Sequence, residues 1–280
     1  MLGRDRIEYK SPDQIRTMRR AGLVVADALD AVRAAIAPGV TTAQLDAIAH
    51  EVISAAGATP SFLGYHGYPA VLCVSVNDEI VHGIPGPRVV EDGDVVSVDC
   101  GAIVEGWHGD SAFSVVVGEG TPEDYELVET TEAAMWAGIA ALAQGDRLAV
   151  VGHAVEDAVD LAFAAGKNGG KRFGIVQEYV GHGIGSAMHQ APEVLNYRAR
   201  DRGPRLKAGL CVAVEPMLVR GERTTQVLED DWTVVTADGS RAAHWEHSVA
   251  ITGEGIWVLT ARDGGAEALG ALGVEIHALD

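Results

Sequence analysis

Positions Ile15, Met18, Gly22, Val25, Leu29, Val32 and Ile36 recur at alternating steps of three and four, which lays one apolar stripe along a helix. Its start is written in Ser11-Pro12-Asp13-Gln14: Ser at the N-cap, Pro at the first position, Gln closing a capping box. Pro38-Gly39 stops it. A second helix is predicted from a cap near Thr41 or Thr42, with Leu45, Ile48, Val52 and Ile53 inward and Gly57 beyond its end. From about residue 69 to 120 the texture changes to Val-rich runs broken by Gly, Pro and Asp, which predicts strands. The order then begins again. Thr121-Pro122-Glu123-Asp124 opens a third helix that turns Leu127, Met135, Ile139 and Leu142 inward and ends at Gly145. A fourth runs from about Val150 to Ala165, and strand-like segments return from about Gln177.

Helix, helix, strands therefore occurs twice, and shorter echoes keep the same order. GDVVSVD at 93–99 aligns with GLCVAVE at 209–215, His82-Gly83-Ile84 with His182-Gly183-Ile184, and His108-Gly109-Asp110 with His244-Trp245-Glu246. Each echo alone is short enough to be chance; together they predict an internal duplication. The fold class expected is α+β, with helices outside and a strongly curved antiparallel sheet inside, two related halves meeting at one cleft. The expected division is a tail at 1–10, one catalytic domain at 11–262 with half-repeats of about 11–120 and 121–262, and a tail at 263–280 that forms a frayed end or a short helix.

At 280 residues and 48% hydrophobic the chain has ample core for one large or two smaller domains. Lys+Arg is 21 against Asp+Glu 40, a formal charge of −19, which repels phosphate backbones and anionic membranes. Direct nucleic-acid or membrane binding is not expected. Cys73, Cys100 and Cys211 form neither a disulfide framework nor CxxC zinc spacing, which fits a reducing compartment. With no apolar leader segment in MLGRDRIEYKSPDQ and no long uncharged apolar run, the expectation is a cytoplasmic protein.

The duplication gives the carboxylates their meaning. Asp99 matches Glu215 and Asp110 matches Glu246, so four acids stand at repeated places within apolar strands. An unpaired carboxylate there is costly and must be neutralised, salt-bridged or bound to a cation. Glu105-Gly106 reads as a two-residue hairpin turn, and pairing Val104 with Trp107 sets Gly101 opposite Asp110 and Asp99 opposite Ala112. Asp99 and Asp110 then become diagonal neighbours on one face, about 7–8 Å apart at Cα. Two ions bridged by carboxylate lie about 3.5–4 Å apart, so that spacing suits a metal pair. A lone Asp at a strand end is usually a turn former; four acids repeating in two halves are not.

His182 lies in YVGHGIGSAMH, where Gly181, Gly183 and Gly185 imply a backbone that approaches something closely. A lone His is ordinarily a satisfied loop residue. A phosphate loop is a weak reading because no GK[ST] follows, and a serine hydrolase lacks its GxSxG elbow. One histidine with four carboxylates makes a hard, oxygen-rich site suited to Mn²⁺, Fe²⁺, Co²⁺ or Zn²⁺, able to present hydroxide near neutral pH.

The ordered set YHGYP (65–69), SVNDEIVHGIP (75–85), DCGAIVEGWHGDSA (99–112), GHGIGSAMH (181–189), VEPM (214–217) and WEHSVAIT (245–252) resembles the type I methionine aminopeptidases over about residues 11–262. The resemblance implies the pita-bread fold, an internally duplicated α+β structure. It implies two divalent ions (Co, Mn, Fe, Zn or Ni) held by Asp99, Asp110, His182, Glu215 and Glu246. Asp110 and Glu246 would bridge, Asp99 would hold one ion, and His182 with Glu215 the other. His82 and His189 match the family's catalytic histidines, His189 to stabilise the oxyanion and His82 to contact the peptide near the cleaved bond; Glu215 matches its proton shuttle.

By the same resemblance Tyr65, Tyr68, Cys73 and Trp232 fall at methionine-pocket positions. Met188 stands where Phe is common and Phe62 where Cys is often found, two departures that reshape the pocket without removing a chemical group. The activity implied is removal of initiator methionine when the second residue is small. The partners implied are the N-terminal Met of peptides and nascent chains, with transient ribosome association, for a monomer. An X-Pro peptidase of the same fold is the near rival, opposed by YHGYP and SVNDEIVHGIP; a non-catalytic homologue is opposed by the intact ligand and histidine set.

Overall fold

The computed structural model describes residues 6–279. Residues 1–5 of the expected N-terminal tail and residue 280 lie outside them. Helix α1 (Pro12–Ala35) starts as the sequence predicts: Gln14 N–H donates to Ser11 Oγ while the Ser11 N–H donates to Gln14 Oε1. Helix α2 (Thr42–Ala55) is capped by the same exchange between Thr41 and Gln44, and at α3 (Pro122–Gln144) the Thr121 N–H donates to the Asp124 carboxylate. Helix α4 spans Val150–Ala164 and α5 Ala266–Ala271. The predicted inner positions of α1 are buried except Ile36, which falls at the C-cap; all four of α3 are buried. In α2, Leu45 and Ile53 are buried with Ala49, whereas Ile48 and Val52 are half-buried. Each large apolar side chain fully buried this way stabilises the fold by about 1.5–3 kcal/mol before conformational entropy is set against it.

The main sheet uses β1 (Thr59–Pro60), β2 (Leu72–Val76), β3 (Val95–Val104), β4 (Trp107–Val116) and β5 (Gly181–Gly183). It continues with β6 (Gln190–Val194), β7 (Cys211–Val214), β8 (Glu246–Ile251) and β9 (Ile256–Val258). Among the described residues these form one nine-stranded sheet in the order β1-β3-β4-β8-β7-β5-β6, with β2 beside β3 and β9 beside β8, every pair antiparallel. Two smaller three-stranded sheets flank it, one of Gly174–Ile175, Met217–Val219 and Ala242–His244, the other of Glu79–Val81, Thr225–Val227 and Val234–Thr236.

The β3–β4 register is the predicted one, Val104 opposite Trp107 through Asp99 opposite Ala112. Glu105 and Gly106 have φ of 49° and 81°, the two left-handed residues that a tight hairpin turn with right-handed strand twist requires. The halves join where β4 meets β8. Ser111 Oγ donates to the Glu246 carbonyl at 2.6 Å and Ser248 Oγ to the Asp110 carbonyl at 2.8 Å. The order β3-β4-β8-β7 therefore sets Asp99 and Asp110 from one half beside Glu246 and Glu215 from the other.

The apolar core lies between the helices and the sheet, uniting Val25, Leu29, Leu45, Val98, Met135, Ile139 and Val214. Helix α1 crosses β4 so closely that a Cβ on Gly109 would come within 2.6 Å of the Gly22 nitrogen, and that contact presses the strand carrying Asp110 against the helix. At the ends, Lys10 is buried with its N–H donating to the Gly209 carbonyl, and α5 sends Leu269 into the core. Among the described residues no helix is long and apolar enough to cross a membrane.

Candidate metal centre

Strand pairing brings the four acids onto one sheet face. Asp99 on β3 and Glu246 on β8 both stand opposite Ala112 on β4. Asp110 lies two residues along β4, hence on the same face, since side chains alternate along a strand. His247 pairs with Val214, so Glu215, the next residue, comes level with Glu246. His182 sits on β5, which lies beside β7 through the Gly183–Val212 pair.

Asp110, Glu215 and Glu246 are buried, and Asp99 is partly open to the cavity. Asp99 Oδ1, Asp110 Oδ1 and Glu246 Oε1 are sequestered and have no hydrogen-bond partner. Burial pushes Asp99 up to about 7 and Glu215 up to about 8. For Asp110 and Glu246 the carboxyl is driven well above its ordinary value, first by burial and then by the neighbouring carboxylates. Orphaned acids crowded together without a Lys or Arg among them need cationic charge.

The imidazoles are placed from outside the acid row. His182 Nδ1–H donates to the Gly183 carbonyl at 3.0 Å, which leaves Nε2 free as a donor atom, 3.3 Å from Glu215 Oε1. Gly181 and Gly183 do approach something closely, but that something is the sheet itself, while Gly185 lies against the Glu8 and Lys10 side chains. A Cβ on Gly181 would lie 2.4 Å from the Ala213 carbonyl oxygen, and one on Gly183 2.3 Å from that of Ala191.

Single ligating atoms from Asp110, His182 and Glu246 lie within 4.8 Å of one another, and so do those from Glu215, His244 and Glu246. Glu246 is common to both clusters. Two differences from the sequence expectation follow. Asp99 belongs to neither three-residue cluster, and the expected single histidine is joined by His244. Its only trace in the sequence was the echo of His108-Gly109-Asp110 in His244-Trp245-Glu246, because the contact depends on a strand pairing far from any local pattern.

All twelve predicted site residues line one cavity of about 1070 Å³. Asp99, Asp110, His182, Glu215 and Glu246 form one region of its wall. Tyr65, Tyr68, Cys73 and Met188 pack with Phe62 and Trp232 into an adjoining apolar cluster. Trp232 meets Tyr68 edge-on with centroids 5.0 Å apart, and Tyr68 Oη donates to the Leu72 and Gly83 carbonyls, which anchors the wall. His82 lies between Trp232 and Tyr179, which sequence reasoning did not single out. The backbone of His82 is left-handed, φ 60°, an uncommon state for a residue with a side chain and one that functional sites often store. His189 is open to the cavity and its Nδ1 is 2.9 Å from Tyr65 Oη.

The residues fit divalent metal: oxygen-rich donors with imidazole nitrogen, sequestered oxygens without protein partners, and one carboxylate shared by two clusters.

Residues 16–253 match metallopeptidase family M24. The chain is 52% identical to methionine aminopeptidase 1 of Mycobacterium tuberculosis over 93% of its own length and 97% of the relative. It is 43% identical to methionine aminopeptidase 1 of Bacillus subtilis, over 90% and 98%. The crystal structure of methionine aminopeptidase from Thermotoga maritima superposes with a TM-score of 0.86 at 39% identity, covering 92% of this chain and all of that one.

Proposed function

The chain belongs to metallopeptidase family M24 and, within it, to the methionine aminopeptidases, and from that premise we propose how its residues divide the work of removing an N-terminal methionine. The reaction is metal-dependent hydrolysis of the first peptide bond. The observation that carries the assignment of roles is the convergence of four carboxylates, three of them buried, and His182 beside an apolar pocket.

Asp99, Asp110, His182, Glu215 and Glu246 would hold two divalent ions, with Glu246, and by the resemblance Asp110, shared between them. Bound there, such ions lower the pKa of water toward neutrality and polarise the scissile carbonyl. The remaining steps belong to the protein's own groups. The Glu215 carboxylate takes a proton from the attacking water and passes it to the leaving amine. With Tyr65 Oη donating to His189 Nδ1, the ring proton sits on Nε2 and is available to the developing oxyanion. Burial, with His244 and His189 nearby, pulls His82 down to about 4. It is therefore neutral at physiological pH and contacts the peptide beside the cleaved bond without adding a charge.

Phe62, Tyr65, Tyr68, Cys73, Met188 and Trp232 take the methionine side chain, whose burial is worth about 1.5–3 kcal/mol, with sulfur against aromatic edges. By the family resemblance, the second residue is small because a narrow region beyond the cleaved bond excludes bulk. We place the activity in the cytoplasm, on nascent chains met transiently at the ribosome, by a monomer. Support for a reducing compartment comes from Cys73, Cys100 and Cys211, all free and buried.

The test is an assay of chelated protein re-supplied singly with Co²⁺, Mn²⁺, Fe²⁺, Zn²⁺ or Ni²⁺. Release of methionine from Met-Gly-Met and Met-Ala, lost with chelator and absent on Ala-Pro, is the expected result. Equal cleavage of Ala-Pro would move the protein to the X-Pro peptidases. A Glu246→Ala enzyme that cleaved Met-Gly-Met normally would overturn the residue assignment.

A further inference from the structure

One buried imidazole in the cavity has no part in the chemistry above. His244 is 2 % exposed and ends the strand Ala242–His244, where it pairs with Met217, two residues past Glu215. Its backbone is pinned at both ends by one hydroxyl: its N–H donates to Ser114 Oγ at 2.9 Å and its carbonyl accepts from the same Ser114 at 2.8 Å. The ring is thereby held in place, with Nε2 3.5 Å from Glu215 Oε2 and without a hydrogen-bond partner. Leaving such a group unsatisfied costs about 1–3 kcal/mol, so the arrangement is expensive until something accepts that nitrogen's lone pair or proton.

The neighbours say what. Donor atoms of Glu215, His244 and Glu246 fall within 4.8 Å of one another. Three donors each about 2.0–2.2 Å from one ion are separated by up to about 4.4 Å, so a small relaxation closes the set around a cation. Glu215 stands between two imidazoles, its Oε1 toward His182 Nε2 and its Oε2 toward His244 Nε2.

We propose that His244 is a protein ligand of the metal centre, giving an imidazole nitrogen to the ion held by Glu215 and Glu246, the ion that the resemblance also gives to His182, so that both imidazoles serve one ion. The proposal rests on the reading of this cavity as a metal centre. Exchange of an oxygen donor for imidazole shifts preference toward Co²⁺, Ni²⁺ and Zn²⁺ relative to Mn²⁺. That ion then differs in selectivity from its partner, which is held by carboxylates alone.

The test compares the full-length wild type with His244→Gln and His244→Ala, and with His182→Gln as reference, after chelation. Calorimetric titration with Co²⁺ and with Mn²⁺ gives stoichiometry and affinity; X-ray absorption of the cobalt-loaded protein counts imidazoles per ion. Two imidazoles per ion pair in the wild type are expected, and one in His244→Gln. One Co²⁺ equivalent should bind ~10- to 100-fold more weakly in that variant, with a smaller loss for Mn²⁺. Wild type with two bound ions and a single imidazole overturns the proposal, as does a His244→Gln protein with unchanged imidazole count and Co²⁺ affinity. The wild-type count decides alone if the variants do not fold. A wild type that binds no metal removes the metal-centre reading itself, a result distinct from the loss of His244 only.

Discussion

His182 Nε2 and Glu215 Oε1 lie 3.3 Å apart across the boundary between β5 and β7, on segments joined only through the sheet. The contact sets a proton-accepting carboxyl against a neutral imidazole, whose own pKa burial pulls down to about 3. Burial raises the Glu215 carboxyl to about 8, and in the proposed mechanism this is the group that relays the proton. Glu215→Gln keeps shape and removes the proton site. Its kcat should fall ~10²- to 10⁴-fold while KM for Met-Ala stays within about threefold, as read from steady-state kinetics with metal in excess. A rise in KM with kcat unchanged would assign Glu215 to substrate binding instead.

Metal removal should make stability strongly dependent on pH. Asp99 and Glu215 are pushed up to about 7 and about 8, and Asp110 and Glu246 also stand well above their ordinary values, chiefly through burial. Raised carboxyls bind protons more tightly folded than unfolded. Their stabilisation is therefore complete below the unfolded pKa of about 4 and is lost as pH rises through 7 to 8. The metal-free protein should melt at a lower temperature at pH 8 than at pH 6, and added Mn²⁺ or Co²⁺ should raise the pH 8 melting temperature most. Scanning fluorimetry across that range reads it directly; a metal-free Tm that held constant would contradict the crowded-acid picture.

Trp232 closes the apolar pocket by meeting Tyr68 edge-on at 5.0 Å. Removing that wall in Trp232→Ala should cost about 1.4 kcal/mol of methionine binding, a tenfold rise in KM, with kcat nearly unchanged. Kinetics on Met-Ala and on a norleucine analogue measure it. Unchanged KM on both would place the methionine side chain elsewhere in the cavity.

Gly183 has no room for a side chain, because a Cβ would sit 2.3 Å from the Ala191 carbonyl oxygen. In Gly183→Ala, β5 must move, and the adjacent His182 with it. A stability loss of about 1–3 kcal/mol in urea titration is expected, together with weaker metal binding by calorimetry. Loss of stability with intact metal affinity would separate the strand's packing from the ligand it carries.

Much of this protein is settled by its sequence alone. Helix α1 is announced by Ser11-Pro12-Asp13-Gln14 and stopped by Pro38-Gly39; the hairpin at Glu105-Gly106 sets Asp99 opposite Ala112; the motifs single out the four acids and the imidazole that line one stretch of the cavity wall. Such signals lie in a few consecutive residues, where a cap or a tight turn has one low-energy solution. Only the tertiary structure decides that Glu246 also faces Ala112, that Gly181 presses on Ala213, and that His244 faces Glu215. Those contacts join strands distant in the chain, and their register follows from how helices and sheet pack together. No local pattern of polar and apolar positions encodes it.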